Sequence, residues 1–392
     1  MPGLSTLHAR LAVAAAGLAL VGGIAAALPG TALAYPHGGP PAGHVYVDDN
    51  TAGANTVAGF ARSANGSLTA LPGSPFKIGG TGAGTGIPSQ GAVQFAGHGR
   101  FLLAVDAGSN QISVLRIARD GSLDPAAGGP VASGGEDPVS IAVHGDLVEV
   151  ANAGADGTNL AGFRLTRNGT LVPAPSSNAT LPAGSQPGDV LFNATGTRLV
   201  TTLVASSQIA SFSVTWYGRL IAAPGSPYPA QGLGPFGSEF RPTDPDQLFV
   251  TNAHNGTGLG TVSAFTDSGA GVLTSIGSSP VADQQTAPCW VTISPDGRYL
   301  FAVNTGSGAI SRYSIAPGGA LTLLGSTQVS ANGGVGAVDP GVSPDGRFLY
   351  VNESKISSVG AFAVSGGGNL TELPGSPTPL PAGATPAGIA VS

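Results

Sequence analysis

The chain has 392 residues, of which 63 are Gly and 32 are Pro, while 9% are charged and 42% are hydrophobic. This balance excludes a disordered chain, which would be rich in charge and poor in apolar residues. It also disfavours long helices, because Gly and Pro destabilise helix interiors. The formal net charge is -6 and no Lys/Arg cluster occurs, so we expect no nucleic-acid partner.

The first 34 residues have the order of a secretory signal peptide. His8 and Arg10 precede the apolar run 11–28, a Pro-Gly pair ends that run, and the small-residue site Ala32-Leu33-Ala34 follows. We expect cleavage after Ala34, a secreted, extracellular protein, and a linker over residues 35–43. A membrane anchor is the alternative, since the run is nearly long enough to span a bilayer. No later apolar stretch approaches that length, so we expect no membrane span after cleavage.

A leucine that follows a small turn recurs along the rest of the chain, at Leu68, Leu123, Leu171, Leu220, Leu273, Leu321 and Leu370. The spacings are 55, 48, 49, 53, 48 and 49 residues, a period typical of solenoids, propellers and arrays. Within one unit, residues 309–315 alternate apolar and polar side chains as a half-buried strand does, and Ser294-Pro295-Asp296-Gly297 predicts a turn. Each unit thus holds about four short strands, the content of one propeller blade.

The two ends of the repeat predict a closed ring. The first unit starts at His44 with the pattern of a second strand, and residues 385–392 end the last unit with the pattern of an inner strand. The C-terminal strand can therefore complete the first blade, which removes exposed strand edges. We predict an all-β, seven-bladed β-propeller over residues 44–392, forming a single domain and a monomer. A right-handed β-solenoid is the structural alternative.

Several passages resemble the lactonase family of seven-bladed propellers, which includes bacterial 6-phosphogluconolactonases and fungal carboxymuconate cyclases. These passages run from Pro288 to Asn304 and from Ser343 to Glu353, and Gly-Ser-Pro endings occur at 73–75, 225–227 and 375–377. The resemblance covers nearly all of residues 44–392. It implies the propeller fold and, for activity, the hydrolysis or cyclisation of a small lactone.

The chemistry-bearing positions depart from that family's pattern. Family lactonases typically carry Pro-Arg-His at the start of an inner strand, and no blade here has Arg-His. The corresponding positions hold Cys289-Trp290 in the sixth blade and Val338-Asp339 in the seventh. Asn352-Glu353 keeps the family's Asn-Glu dipeptide, although Glu353 falls in the column occupied by Asn304 in the sixth blade.

Two columns of side chains are candidates for a ligand funnel, because loops that lead into inner strands meet loops between second and third strands on one face. The first column includes Gln90, Asp189, Trp290 and Asp339, and the second includes Asn252, Asn304 and Glu353, with His254 two residues past Asn252. Lactone opening needs a base for water and a donor for the developing oxyanion. We expect catalytic roles for Glu353, Asp339 and His254, and ligand binding by Asp189, Trp290, Asn304, Asn252 and Gln90. The alternative is that the Asn and Asp side chains shape turns.

The sequence predicts no cofactor and no metal site. The histidines lack metal-ligand spacing, and no calcium loop, haem-attachment or phosphate-loop motif occurs. Asp and Asn oxygens around an axis leave Ca²⁺ open as an alternative. Cys289 is the single cysteine, so no internal disulfide can form, and we expect it to be a buried structural residue.

Two functions stay open at this point, and so does the question of whether the protein is an enzyme. One is a secreted lactonase-like propeller, similar to a 6-phosphogluconolactonase or a muconate cyclase, that acts on a small lactone or sugar-acid ligand in its central funnel. The other is a non-catalytic extracellular propeller that binds a small molecule or an extracellular protein.

Overall fold

The computed structural model describes residues 41–155, 157–329 and 336–392. The predicted signal peptide and most of the predicted linker therefore lie outside the described residues. The described chain is built of short strands and turns, with two single-turn 3-10 helices at Ala107–Ser109 and Pro175–Ser177. No helix in these ranges is long and apolar enough to cross a membrane.

The strands group into seven sheets, here called blades 1 to 7. Blades 1 to 3 contain, in chain order, β1 (Gly43–Asp48), β2 (Thr56–Arg62), β3 (Leu68–Ala70) and β4 (Phe76–Lys77); β5 (Val93–Ala96), β6 (Phe101–Asp106), β7 (Gln111–Ile117), β8 (Leu123–Pro125) and β9 (Val131–Ala132); and β10 (Pro138–His144), β11 (Leu147–Asn152), β12 (Asn159–Leu165), β13 (Leu171–Pro173) and β14 (Ala179–Thr180).

Blades 4 to 7 contain β15 (Pro187–Phe192), β16 (Arg198–Leu203), β17 (Gln208–Val214), β18 (Leu220–Ala222) and β19 (Tyr228–Pro229); β20 (Pro235–Arg241), β21 (Asp244–Asn252), β22 (Thr261–Asp267), β23 (Leu273–Ser275) and β24 (Val281–Ala282); β25 (Pro288–Ile293), β26 (Tyr299–Asn304), β27 (Ala309–Ile315) and β28 (Leu321–Gln328); and β29 (Ala337–Val342), β30 (Phe348–Glu353), β31 (Ser358–Val364), β32 (Leu370–Glu372) and β33 (Thr378–Pro379). The last strand, β34 (Ala387–Val391), belongs to blade 1.

Each blade is an antiparallel meander of four strands, from an inner strand at the axis to an outer strand at the rim. The outer strand has three residues in six blades, in each of which a further two-residue strand pairs with the third strand; in blade 6 the outer strand β28 is eight residues long, and no further strand occurs among the residues described there. The second strands are buried on both faces, as in Phe101–Asp106, because each blade packs between two neighbours. This explains why such strands are nearly continuous apolar runs rather than alternating ones.

The ring closes through the C-terminal strand, as predicted. β34 pairs antiparallel with β1, placing Val391 opposite Val45 and Ile389 opposite Val47. The Ser392 N–H extends this pairing with a 2.9 Å hydrogen bond to the His44 carbonyl. The structure therefore confirms an all-β, seven-bladed propeller whose last strand completes the first blade.

The hydrophobic core lies between neighbouring blades. Phe301 and Val303 of blade 6, for example, belong to one buried cluster with Leu349 and Val351 of blade 7. Such burial contributes about 25 cal/mol for each Å² of apolar surface removed from water. The resulting ring holds the seven inner strands around a common axis.

The propeller has two faces that differ in which loops they carry. We call the face at which the inner strands begin the front face; it also carries the loops between second and third strands. The back face carries the turns between first and second strands and those between third and fourth strands. The predicted turn Ser294–Gly297 lies on the back face, where Ser294 Oγ donates to Asp296 Oδ1 at 2.6 Å and Gly297 has a φ of +68°.

Candidate functional site

A cavity of about 380 Å³ lies on the propeller axis. Residues from the inner strands of all seven blades, or from the segments leading into them, form its wall. Its polar lining consists of Gln90, Gln94, Asp189, Ser238, Glu239 and Asp339. The cavity extends to Phe192 and Ala194, which lie at the back face where β15 ends. The inner strands also become more exposed in that direction, since Asp189 is buried whereas Leu191 and Phe192 are partly exposed.

The front end of the cavity is crossed by the segment Ser89–Gly91, which leads into β5. The Gln90 N–H donates to the Gly188 carbonyl of blade 4 at 2.7 Å. Its side-chain amide donates to the Ser238 carbonyl of blade 5 at 3.1 Å and accepts from the Val291 N–H of blade 6 at 2.9 Å. The three residues Ser89–Gly91 thus cross the axis and close the front end of the cavity, which is the end at which the sequence predicts a ligand funnel.

Trp290 holds this axial segment rather than facing the cavity. The indole Nε1 donates to the Ser89 carbonyl at 2.8 Å, and the ring packs on Phe236 with centroids 5.2 Å apart. Ser89 Oγ in turn donates to the Val139 carbonyl of blade 3 at 2.5 Å. Neighbouring Cys289 is buried, and burial raises the pKa of its thiol to about 11, so the thiol is protonated at neutral pH.

Asp189 connects three inner strands at the front end of the cavity. One carboxylate oxygen accepts hydrogen bonds from the Ser238 N–H at 2.9 Å and from Ser238 Oγ at 2.8 Å, and the other accepts from Ser140 Oγ at 3.3 Å. Burial raises the pKa of Asp189 to about 7, although these hydrogen bonds oppose the shift. With most of its acceptor capacity satisfied by protein donors, Asp189 acts mainly as a brace between blades 3, 4 and 5.

Asp339 also lines the cavity, and its backbone is strained. It lies at a β-bulge where the pairing of β29 with β30 slips by one residue. Its φ is +34°, a region that residues other than glycine seldom occupy. The Gly388 N–H donates to Oδ2 at 2.9 Å, while burial raises the pKa of Asp339 to about 7. Strain of this kind clusters at functional sites.

Glu239 is the cavity acid that the sequence reasoning missed. It lies in the middle of β20 and is partly exposed, but its accessible surface faces the cavity, whose walls desolvate it. Burial raises the pKa of Glu239 to about 8, and the negative charge of Asp189 adds to the shift. The sequence feature that could have indicated Glu239 is the presence of a charged residue within the predicted inner strand of blade 5. Gln94 of β5 lines the same cavity and was missed as well.

The second column of predicted site residues lies inside the blades and does not line the cavity. Asn304 and Asn252 donate to the third-strand hydroxyls Ser311 Oγ and Ser263 Oγ at 2.9 and 2.8 Å. Glu353 occupies the equivalent register position, opposite Ala337. All three second-column side chains are fully buried.

Glu353 is therefore not brought together with Asp339 in one pocket. A Cβ at Gly360 of the third strand would lie 2.5 Å from Glu353 Oε1, so the carboxyl group points away from the axis. No described residue hydrogen-bonds to this carboxyl group. Burial raises the pKa of Glu353 to about 7, with a smaller contribution from the charge of Glu372.

His254 lies on the front face, outside the cavity. It is exposed in the loop that follows β21, and its backbone N–H donates to the Leu233 carbonyl at 3.0 Å. Its ring lies beside Gly234, whose missing side chain makes room for the imidazole. The axial segment Ser89–Gly91 separates this face from the cavity acids.

The side chains that line the cavity can transfer protons, but the described residues do not form a metal site there. Within residues 41–155, 157–329 and 336–392, no group of three or more His, Cys, Asp or Glu side chains is arranged to hold a metal ion. Carboxyl groups with a pKa near 7 to 8 can both accept and return a proton at neutral pH. The free amide of Gln94 is suited to donate a hydrogen bond to a polarised carbonyl.

Comparison with known proteins supports the architecture described above. Residues 242–338, from the end of β20 into β29, match the family model described as lactonase, 7-bladed beta-propeller. No curated protein sequence matches the chain.

Several solved structures share the fold. The periplasmic gluconolactonase of Pseudomonas aeruginosa is 18% identical, with 89% of this chain and 98% of that chain covered at a TM-score of 0.71. A Bacteroides uniformis protein with a provisional assignment as a 6-phosphogluconolactonase is also 18% identical, with 89% and 99% covered at 0.71. A Lactobacillus plantarum protein is 16% identical, with 89% and 99% covered at 0.69. The shared architecture confirms the fold, and the match of residues 242–338 to the lactonase family model supports the resemblance seen in the sequence: this chain is a seven-bladed β-propeller with a lactonase-like segment.

Proposed function

We propose that the protein is a secreted lactone hydrolase that binds a small, uncharged lactone of a sugar acid in its axial cavity. The observation that carries the proposal is the convergence of Asp189, Glu239 and Asp339 on one cavity of about 380 Å³. Burial raises the pKa of all three carboxyl groups into the range 7 to 8. Raised carboxyl pKa values in a concave site are typical of acid–base catalysis.

Glu239 and Asp339 are the better candidates for proton transfer. Asp189 is occupied by the hydroxyl and amide donors of Ser140 and Ser238, whereas Asp339 interacts with backbone N–H groups alone, chiefly that of Gly388. In the proposed reaction, ionised Asp339 removes a proton from water as the oxygen attacks the lactone carbonyl carbon, because its pKa of about 7 is the lower of the two. The ring C–O bond then breaks, and the leaving alkoxide takes up a proton from protonated Glu239. The product is one hydroxy acid. Proton exchange with solvent then returns Glu239 and Asp339 to their starting protonation states.

The Gln94 side chain is proposed to stabilise the oxyanion that develops during attack. Its amide faces the same cavity as both acids. Removing one such donor typically lowers the turnover number by about 10²–10³-fold. Gln94 is therefore assigned a binding role in the transition state.

The charge of the lining favours an uncharged substrate. None of the described lining residues is Lys, Arg or His, and three are acids. A phosphorylated or ionised ligand would enter without a compensating cation, at a large desolvation cost. We therefore infer that this protein prefers a neutral lactone to the phosphate ester of that lactone. The name of the Bacteroides uniformis protein indicates a phosphorylated substrate for that protein.

The test is turnover of glucono-δ-lactone and its 6-phosphate, followed by acid release and corrected for spontaneous hydrolysis. We expect the neutral lactone to be the better substrate. Glu239→Gln and Asp339→Asn are each expected to lower kcat/KM at least about a hundredfold, because a general acid or base usually accelerates a reaction by at least that factor. Asp124→Asn is the matched control, since Asp124 is exposed on outer strand β8. Absence of turnover above background, or full activity in both cavity variants, would refute the proposal.

A non-catalytic binding propeller is the second candidate. It is favoured by the lack of an Arg-His pair in any blade and by the closure of the front end through Gln90. Calorimetric binding of the lactone or its hydroxy acid without any turnover would support this function instead.

Secretion is proposed from the sequence of residues 1–34 alone. Expression of the whole chain in an export-competent bacterium should give an extracellular protein that begins at Tyr35. Recovery of cell-associated protein with an intact N-terminus would contradict this and favour the anchor.

A further inference from the structure

The back face of blades 2 to 4 carries an excess of arginine. Its turns and adjoining strand ends contain seven arginines and three acids, namely Arg100, Arg116, Arg119, Arg164, Arg167, Arg198 and Arg219 against Asp120, Asp124 and Asp146. The described lysines, Lys77 and Lys355, lie toward the front face. The whole chain is acidic, so this local excess is not explained by composition.

Two of these arginines border a cleft between the turns of blades 2 and 3. The cleft has a volume of about 260 Å³, and its wall includes His98, Arg100, Asp146, Leu165 and Arg167. Arg100 Nη1 donates to the Arg167 carbonyl at 3.4 Å, which holds the two turns together. Both side chains are exposed, and no described residue accepts a hydrogen bond from the Arg167 guanidinium. The cleft therefore offers the Arg167 guanidinium as a charged donor without a protein acceptor, beside an Arg100 guanidinium that is held by carbonyl groups.

An exposed aromatic pair projects from the next blade. Trp216 is 83% exposed and Tyr217 is 58% exposed, with ring centroids 3.9 Å apart. They occupy the turn between β17 and β18, where the same turn of other blades has Ala64-Asn65 or Arg119-Asp120. The turn does not need aromatic residues for its own geometry, so the pair requires a different explanation.

The aromatic pair and the cleft form one surface. Arg164 Nη2 donates to the Tyr217 carbonyl at 2.5 Å, and its Nη1 pairs with Asp146 of the cleft at 2.8 Å. Val172 and Ile221, on the outer strands of blades 3 and 4, are 46% and 47% exposed. The back face of blades 2 to 4 thus combines the exposed guanidinium groups of Arg100 and Arg167 with exposed apolar surface. Arg164 and Arg198, by contrast, are paired with Asp146 and Asp267.

We propose that this surface docks the protein on an anionic lipid bilayer. Arginine binds phosphate through paired N–H groups, so the cleft suits a lipid headgroup. Trp and Tyr partition to the boundary between headgroups and acyl chains, which accounts for the pair at the tip of the turn. A soluble acidic polymer would use the arginines but would leave the apolar side chains in water.

The test uses sedimentation of residues 35–392, which contain the whole propeller and lack the apolar N-terminal run. Vesicles of phosphatidylcholine containing phosphatidylglycerol are compared with vesicles of phosphatidylcholine alone, at low and high salt. We expect binding only to the anionic vesicles, weakened by salt. Arg100→Ala with Arg167→Ala should lower the partition coefficient roughly thirtyfold at low salt, given about 1 kcal/mol for each arginine near the surface. Trp216→Ala should also lower it, because an indole at the membrane interface is lost, and binding should shift the Trp216 emission to the blue.

The matched control is Lys77→Ala with Lys355→Ala, which removes the same charge from the other side of the disc and should leave vesicle binding unchanged. A thermal unfolding curve for each variant checks that the substitution leaves the fold intact. Equal binding to neutral vesicles, or an equal loss in the lysine control, would overturn the proposal. Binding to soluble polyphosphate without binding to vesicles would assign the surface to an acidic polymer instead.

Discussion

Gln90 and Val291 lie 201 residues apart in the chain and meet at the propeller axis, where the Val291 N–H donates to Gln90 Oε1 at 2.9 Å. This hydrogen bond joins blade 2 to blade 6, which are not neighbours in the ring. The segment that contains Gln90 therefore has two effects. It braces the inner strands against one another, and it leaves the back face as the open end of the cavity.

Gln90→Ala is expected to loosen this brace. The substitution leaves the Val291 N–H and the Ser238 carbonyl without partners, which costs about 1–3 kcal/mol for each buried group. The chain has two tryptophans, so in a Trp216→Phe background the emission reports on Trp290 alone. We expect acrylamide to quench Trp290 more strongly in the variant. Gln94→Ala, which changes the same cavity without this hydrogen-bond network, is the control, and equal quenching in both variants would contradict the bracing role.

Gly237→Ala should disturb the same contact from blade 5. An added Cβ would collide with Gln90 Oε1 and lie 2.9 Å from the Cys289 carbonyl oxygen. Overpacking of this kind costs about 1–3 kcal/mol. We expect a lower urea midpoint and increased quenching of Trp290. Gly318→Ala is the matched control because nothing lies within 4 Å of its added Cβ; equal destabilisation by both changes would argue against a specific collision.

Removal of residues 387–392 should prevent cooperative folding. Without β34 the backbone groups of β1 become an unpaired sheet edge, which favours aggregation. We expect a loss of the sharp thermal transition and a large increase in light scattering. Deletion of Ser392 alone removes only the terminal contacts with His44 and Arg62 and should keep the transition. A cooperative, monomeric truncated protein would show that ring closure is dispensable.

The free energy of unfolding should fall as pH rises from 5 to 8. Burial raises the pKa of Asp189 and Asp339 to about 7 and that of Glu239 to about 8, while unfolded carboxyl groups titrate near about 4. Between these values the folded protein holds more protons than the unfolded chain, so each carboxyl group removes about 1.4 kcal/mol of stability per pH unit. The measurement is the urea midpoint across this range.

Glu239→Gln should reduce that pH slope, because the amide does not titrate. Asp296→Asn is the control: although partial burial opposes the shift, hydrogen bonds from Ser294 and Arg298 lower the pKa of Asp296, so its stabilising effect is complete above the unfolded pKa and is lost only as pH falls further. The control should therefore leave the slope from pH 5 to 8 unchanged. A midpoint that rises with pH in the parent protein would contradict buried, protonated acids.

Much of the fold was available from the repeat alone. The recurring leucines and Asp-Gly turns define the blades because short strands and tight turns depend on local chemistry. The axial position of Asp189 and Asp339 also followed from their place before or within an inner strand. Glu239 and Gln94 were missed because a strand in a ring exposes only some of its side chains to the axis, and register decides which ones.

The sequence by itself determined the number of blades, the closing strand and the turns, because these depend on periodicity and on the conformational preferences of Gly, Pro and Asp. Only the tertiary structure decided that Glu353 points away from the axis and that Ser89–Gly91 crosses it. Both outcomes depend on contacts between blades that are distant in the chain, and such contacts leave no local pattern. For the same reason, the cavity acids could be recognised as one group only after the ring had closed.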